Sequence, residues 1–154
     1  MRQPVQVCVF IARRAAAGWD YLLLKRVARG DDFWQGVSGG VGDEETPAAA
    51  ARREMLEETG LTPLRLEDAG HTYTFPLAEK WRDLYEPDVT TIREHVFFAE
   101  VAPASQPVLD PRAHDRYCWR SLDDALALLC WPENIAGLRH VHQRFIARTP
   151  GVSS

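Results

Sequence analysis

Three glutamates stand close together on one predicted helix. Glu54, Glu57 and Glu58 are spaced i, i+3 and i+4, so a helix places their side chains on one face. Like charges at this spacing repel one another, which makes a purely structural role a poor explanation. Mg²⁺ would resolve the repulsion, because it prefers carboxylate oxygens and keeps several waters that substrate phosphates can replace. The alternative is a solvated acidic face, the commoner outcome for a glutamate-rich helix.

The boundaries of this helix are marked by the residues around it. Thr46 is an N-cap candidate, since its hydroxyl can accept an N–H of the first turn. Pro47 suits the first helical position, where its missing N–H costs nothing. The alanines 48–51 favour continuation of the helix, and Gly60 is placed to take a left-handed conformation at its end.

The segment GGVGDEETPAAAARREMLEETGL, from Gly39 to Leu61, carries glycines and charges at fixed spacings. It resembles the signature of the Nudix hydrolases at every charged and glycine position, with Met55 where that family usually has Ile, Leu or Val. The resemblance implies an α/β/α sandwich. It also implies cleavage, with Mg²⁺ or alternatively Mn²⁺, of a nucleoside diphosphate linked to another group.

The resemblance implies roles for individual residues. Glu54, Glu57 and Glu58 are candidate metal ligands, and one of the three is also a candidate for the base that takes a proton from water. Arg53 is a candidate catalytic residue that orients a neighbouring carboxylate, with Glu45 as its partner by family analogy.

Candidate substrate contacts surround this segment. Arg26 ends a predicted strand just before the glycine loop, and a guanidinium suits a phosphate. Trp34 is interpreted equally well as core or as a ring that stacks on a planar base. Gly39 and Gly40 let the loop backbone come close to the metal site. Glu94, on a later predicted strand, completes the set.

Outer stretches of the chain resemble one group within that family, the bacterial dihydroneopterin triphosphate pyrophosphatases. The matching stretches are Phe33–Gln35, Tyr85–Thr90 with Glu94, His114, and the WPEN segment 131–134. This resemblance implies release of pyrophosphate from dihydroneopterin triphosphate, a step of folate synthesis. It implies a small-molecule polyphosphate as partner, and family analogy alone suggests a homodimer.

One position departs from that pattern. In those relatives, and in the diadenosine tetraphosphate hydrolases, a Glu precedes the late histidine, whereas Ala113 stands here and cannot bind metal or accept a proton. Asp110, Asp115 or Glu94 could substitute, although each could equally be a plain surface carboxylate. The alternatives are therefore a dinucleoside polyphosphate or general nucleoside triphosphate hydrolase, and a non-catalytic nucleotide-binding or sensor domain.

The bulk composition is that of one globular domain. The 154 residues are 45% hydrophobic and 26% charged, and we expect a single domain over residues 1–148 with a flexible tail at 149–154. A net charge of −4 gives no basic footprint for nucleic acid. Cys8, Cys118 and Cys130 form no paired motif and favour a reducing, cytoplasmic location. No apolar run has transmembrane length and no signal peptide is recognised, so we expect no membrane partner.

The order of predicted elements favours a mixed sheet with helices on both faces, an α/β (α+β) fold. A polar loop is expected over Lys80–Asp88, a connection over Ala102–Pro111, and two final helices that begin at Ser121 and at Trp131-Pro132. The predicted strands are Val5–Ala12, Tyr21–Leu24, Val37–Ser38, Leu61–Leu66, His71–Phe75, Glu94–Val101 and Arg116–Trp119.

Overall fold

The computed structural model describes residues 2–26 and 33–147 of the chain. The tail predicted at 149–154 lies outside these residues, and the domain limits stay a prediction. No helix in the described part of the chain combines the length and the apolar character that crossing a membrane requires.

Seven strands form one mixed sheet in the described residues. The order is β3-β2-β1-β6-β5, with β4 also paired to β1 and β7 also paired to β2. Strands β1 and β6 run parallel, and the other neighbours are antiparallel. The strands are β1 (Val5–Ala15), β2 (Gly18–Arg26), β3 (Phe33–Gln35), β4 (Val37–Gly40), β5 (Arg65–Pro76), β6 (Thr91–Val101) and β7 (Arg116–Arg120).

Strand β1 lies at the centre and has a divided edge. Its residues Ile11–Ala15 pair with β2, whereas its residues Gln6–Val9 pair with β4. The opposite edge pairs with β6 from Val5 to Arg13. Alternate residues of β1 belong to two different cores, which explains why its sequence is continuously apolar.

Helices cover both faces of the sheet. Helix α1 (Pro47–Thr59) buries Ala51 and Met55 on one face, against Val9 and other odd-numbered residues of β1. Helices α2 (Leu122–Leu128) and α3 (Pro132–Phe145) cover the other face. The predicted α/β/α sandwich is therefore confirmed.

The predicted ends of α1 are confirmed. Thr46 Oγ1 accepts a hydrogen bond of 3.1 Å from the backbone N–H of Ala49, and Pro47 is the first helical residue. Gly60 has φ 69°, and its N–H donates to the carbonyl of Leu56 at 2.9 Å. A fixed start and end set the rotation of the helix, and hence the direction of its glutamate face.

Two local predictions need correction. Leu61–Leu66 is not a strand over its first four residues, because β5 begins only at Arg65. Leu61 instead packs into the core beside α1, while Leu64 is exposed. Strand β5 then continues through the predicted strand His71–Phe75 after a register shift between Asp68 and His71.

The predicted loop Lys80–Asp88 is wrong in its first half. Residues Glu79–Leu84 form a short 3-10 helix, and the irregular part begins at Tyr85. On the last helix, Leu138 and Val141 are fully buried and face the sheet core. Ile146 is also buried, but it lies just past the end of α3.

Candidate functional site

Four carboxylates face one open cleft beside α1. The cleft has a volume of about 190 Å³. Helix α1 brings three glutamates to it, β3 and β4 form one wall, and the turn that precedes β7 forms the other. The lining residues are Gln35, Ser38, Glu54, Glu57, Glu58, Asp110, Ala113 and His114.

Arg53 connects the glycine loop to the glutamates of α1. Its Nε and Nη2 donate to the two carboxylate oxygens of Glu45 at 2.8 and 2.9 Å, a two-pronged contact. Its Nη1 donates to Glu54 at 2.8 Å and lies 3.4 Å from a carboxylate oxygen of Glu57. Its Nη2 also reaches the carbonyl of Gly40 at 2.9 Å. One guanidinium thus fixes the loop and offsets part of the carboxylate repulsion.

The Arg53–Glu45 pair is stably charged. The two hydrogen bonds from Arg53, with a further one from the backbone N–H of Gly42, lower the pKa of Glu45 to about 2. The same contacts raise the pKa of Arg53 further above its ordinary value. Both groups therefore stay ionised throughout the neutral range.

Gly39 lets Glu54 lie against the backbone of β4. A Cβ atom at Gly39 would overlap the carboxylate of Glu54, whereas a Cβ at Gly40 would find its nearest neighbour, Arg2, at 3.6 Å. The first glycine is therefore needed for space. The second contributes its carbonyl to Arg53.

Glu58 is the buried member of the glutamate face. Its side chain is 7% exposed, and its Oε1 lies 3.3 Å from Nδ1 of His114, which is itself 3% exposed. On the other side of the imidazole, Nε2 lies 2.9 Å from the side-chain nitrogen of Gln35. The three side chains join α1, the turn before β7, and β3.

A second buried carboxyl group, that of Glu94, lies on β6. It accepts a hydrogen bond of 2.9 Å from Gln6 and another from the hydroxyl of Tyr73, which in turn accepts from Asn134 at 3.0 Å. Burial raises its pKa to about 7, with a further contribution from the charge of Glu133. Neutral groups donate to this carboxyl, whereas the charged guanidinium of Arg53 donates to Glu45.

Comparison with known proteins identifies this arrangement. The NUDIX domain family model matches residues 2–145. The chain belongs to the Nudix family. The predicted enzyme class, a Nudix hydrolase, is thereby confirmed.

Two curated Nudix relatives carry the same name, dihydroneopterin triphosphate diphosphatase. The protein of Escherichia coli is 33% identical over 132 residues, which cover 82% of this chain and 84% of that one. The protein of Haemophilus influenzae is 35% identical over 101 residues, 63% of each chain. The solved E. coli dihydroneopterin triphosphate pyrophosphohydrolase has a TM-score of 0.73 and 31% identity, covering 94% of this chain and 97% of that one. The predicted resemblance is confirmed.

The donor atoms of this Nudix cleft suit a hard divalent cation. Among residues 2–26 and 33–147, no three His, Cys, Asp or Glu side chains already converge as a closed metal cage. Mg²⁺ does not require one, since it is usually held by one or two carboxylates with waters and substrate phosphates. Glu54, Glu57, Glu58 and Asp110 provide carboxylate oxygens around an open space of that kind.

The three substitutes considered for the family glutamate at Ala113 lie in different places. Asp110 lines the cleft with Ala113, and its hydrogen bonds from Arg112 lower its pKa. Asp115 is exposed and is not among the residues that line the cleft. Glu94 belongs to the separate group on β6. Of the three, only Asp110 lines the cleft that contains Ala113.

Two other predicted substrate contacts, Trp34 and Glu94, do not line this cleft. Trp34 is half-buried, packs on the core under α2 and α3, and carries the Nζ of Lys25 at 5.5 Å from its ring centre. It is absent from the lining, as is Glu94. Arg26 ends β2, and its side chain lies outside the described part of the structure.

Sequence reasoning missed several residues of the site. Gln35, Ser38 and His114 line the cleft but were not among the predicted site residues. Gln6 and Tyr73 hold Glu94 and were not predicted either. The available signal was the alternation of β3 and β4, which points Gln35 and Ser38 inward only once the sheet pairing is known.

Proposed function

We propose that this Nudix hydrolase cleaves a phosphoanhydride bond of a pterin or nucleoside triphosphate, with dihydroneopterin triphosphate favoured and pyrophosphate released. The observation that carries the proposal is the set of glutamates from α1, held by Arg53, that lines one open cleft. The names of the relatives at 33–35% identity support the pterin in preference to other triphosphates.

The charges of the cleft suit phosphoryl transfer, which depends on positioning and charge neutralisation more than on covalent chemistry. Glu54, Glu57 and Glu58 would hold Mg²⁺, or alternatively Mn²⁺. The bound cation would neutralise phosphate charge and make a bound water more acidic. The protein itself keeps Glu54 in place through Arg53 and the space at Gly39, and one of the three glutamates accepts the proton of the attacking water.

Asp110 supplies the carboxylate that Ala113 does not. It faces the same cleft as the glutamates, and its contacts with Arg112 keep it ionised. The loss of a carboxylate at residue 113 is then compatible with catalysis. A sensor domain without activity is the weaker interpretation, since the remaining carboxylates of the cleft are present.

Glu94 recognises the ring of the substrate. The pterin ring presents an N–H and an amino group side by side, and a carboxylate can accept both while keeping the bonds from Gln6 and Tyr73. Strand pairing brings Glu94 near the glycine loop beside the cleft, because Gln6 of β1 pairs with Glu94 on one side and with Gly40 on the other. Cys8 also pairs with Ser38 of the cleft.

The experiment is a panel of substrates assayed for Mg²⁺-dependent product release. The panel contains dihydroneopterin triphosphate, the common nucleoside triphosphates and diadenosine tetraphosphate, with GTP and ITP as a pair that differs only in the ring amino group. We expect preference for the pterin, pyrophosphate as product, and faster turnover of GTP than of ITP. Glu94→Gln should reduce the preference of GTP over ITP.

Each other result of the panel has a definite meaning. Preference for diadenosine tetraphosphate or for another nucleotide would support a hydrolase and contradict the pterin as preferred substrate. Tight nucleotide binding without turnover would contradict the catalytic function and support a nucleotide-binding domain. An unchanged GTP-to-ITP ratio in Glu94→Gln removes the ring contact.

The cellular setting remains a prediction. Cys8, Cys118 and Cys130 all have free thiols, which accords with the predicted reducing, cytoplasmic location. The homodimer is likewise expected from family analogy alone, and sedimentation velocity analysis of the purified protein would test it.

A further inference from the structure

His114 lies directly behind the glutamate face of the cleft. The backbone N–H groups of Ala113 and His114 both donate to the carbonyl of Asp110 at 3.0 Å, which closes the turn before β7. This turn presents the imidazole to Glu58 at 3.3 Å. Both side chains are more than nine-tenths buried, so their relative orientation is determined by packing and by polar contacts.

Gln35 contacts the nitrogen of His114 that faces away from Glu58. The side-chain nitrogen of Gln35 lies 2.9 Å from Nε2 of the imidazole. With the amide of Gln35 turned so that its nitrogen faces the ring, that nitrogen donates and Nε2 accepts. The carboxylate of Glu58 on the other side of the ring favours the same arrangement, because a carboxylate can only accept and so calls for a donor at Nδ1. The proton of the neutral ring is then on Nδ1, the nitrogen that faces Glu58.

We infer that His114 is a positioning residue: Gln35 sets its tautomer, and its Nδ1–H fixes the orientation of the Glu58 carboxylate in the cleft. The inference rests on the proposed function, in which Glu58 is a cation ligand. A carboxylate that is already oriented loses less rotational freedom when a cation binds, and partners of this kind change metal affinity by roughly ten- to a hundredfold.

The competing interpretation is that His114 only fills space in the interior. Two substitutions of similar polarity separate the interpretations. His114→Asn places an amide nitrogen near the position of Nδ1, whereas His114→Gln places its amide near the position of Nε2. A space-filling role predicts similar losses in both variants, while a positioning role predicts that asparagine preserves function and glutamine does not.

The tautomer can be measured directly in the metal-free wild-type protein. Long-range proton–nitrogen NMR correlations of the histidine rings should show His114 with its proton on Nδ1. Gln35→Glu replaces the donor by an acceptor, and Nε2 of His114 should then become protonated. An Nε2–H tautomer in the wild type would overturn the inference without reference to any activity.

Cation binding gives the second measurement. Titration with Mn²⁺, followed by electron paramagnetic resonance of the free ion, should show affinity about ten- to a hundredfold weaker in His114→Gln. His114→Asn should bind Mn²⁺ within a few-fold of the wild type. Equal weakening in both variants, or none in either, would refute the positioning role.

The readouts also separate this inference from the proposed function. If the wild-type protein hydrolyses no member of the panel but gives the expected tautomer and Mn²⁺ affinities, the proposed reaction fails and the positioning role stands. If turnover is as proposed but the wild-type tautomer is Nε2–H, only the positioning role fails.

Discussion

The carboxylate of Glu45 and the carboxyl group of Glu94 occupy two parts of the same sandwich with opposite surroundings. Glu45 lies beside α1, where Arg53 lowers its pKa to about 2. Glu94 lies on β6 among neutral donors, and burial raises its pKa to about 7. The first group serves as a permanent charge that holds the cleft together. The second can lose or gain its charge near neutral pH.

Under the proposed function, the difference would separate the chemistry of the cleft from the recognition of the substrate ring. The cleft carries several negative charges; it is open, and Arg53 contacts two of the glutamates that line it. If Glu94 binds the ring as proposed, it must discriminate between hydrogen-bond patterns, which a carboxyl does best when water is excluded. Four substitutions test this division, in order of decreasing expected effect.

The largest effect is expected for Glu57→Gln in the cleft. Its side chain is 57% exposed, so the free energy of unfolding should change by no more than about 0.5 kcal/mol. Loss of one carboxylate from the site should lower kcat by about two to three orders of magnitude. Steady-state kinetics with Glu67→Gln, an exposed glutamate on β5, as control would measure this. Retained turnover would remove Glu57 from the site.

The next effect concerns the pH dependence of stability at Glu94. Its folded-state pKa, about 7, lies above the ordinary value of 4.5, so the protonated form is favoured in the folded protein. The stabilisation is complete below about pH 4.5 and is lost as the pH rises through 7. Glu94→Gln resembles the protonated form, so its free energy of unfolding should not fall over this pH range. In the wild type the fall amounts to about 3 kcal/mol at most.

Urea unfolding of the wild type and of Glu94→Gln at several pH values measures that difference. Glu67→Gln again provides the control, since its surroundings are exposed. A wild-type curve parallel to that of Glu94→Gln between pH 5 and 8 would contradict a raised pKa. It would also weaken the contrast with Glu45.

A smaller effect is expected for Arg53→Lys. Lysine keeps the charge but cannot make the two-pronged contact with Glu45 while also reaching Gly40. We expect the free energy of unfolding to fall by about 2 kcal/mol, since hydrogen bonds to charged groups contribute about 1.5–3 kcal/mol each. Chemical denaturation would show this, and Arg52→Lys, on the exposed side of α1, should leave stability unchanged.

The smallest effect is expected for Gly39→Ala. The new methyl group displaces the flexible end of Glu54, so the cost falls on the geometry of the cleft more than on stability. We expect kcat to fall about tenfold, equivalent to about 1.4 kcal/mol, with little change in Tm. In Gly40→Ala the new Cβ has room, so kcat should fall less. Equal losses in the two variants would show that the contact with Glu54 is not what matters.

Local sequence signals predicted the parts of the fold that local interactions determine. The ends of α1 follow from Thr46, Pro47 and Gly60, whose effects extend over one turn. The start of β5 did not follow, because Leu61 is apolar for a reason unrelated to strand formation: it packs beneath α1. The register shift before His71 was also missed, since it depends on pairing with β6.

The residues of the site also fall into those that local sequence predicts and those that depend on strand pairing. Arg53 and Glu45 are both in the signature segment, and the structure brings them together as that segment predicts. Gln35 and His114 are 79 residues apart in the chain, and Gln6 and Glu94 are 88 apart. Such pairs depend on the order and register of strands, which spacing along one segment does not reveal.

These separations also determine the order in which the molecule can assemble. The contacts of Arg53 close loops of 8 and 13 residues, to Glu45 and Gly40, whereas the contact of Gln6 with Glu94 closes one of 88. The longer closure costs about 2 kcal/mol more chain entropy than the shortest one. During folding, the charged loop and helix can therefore form early from neighbouring residues. Glu94 acquires its partner Gln6 only when the parallel pairing of β1 and β6 completes the sheet.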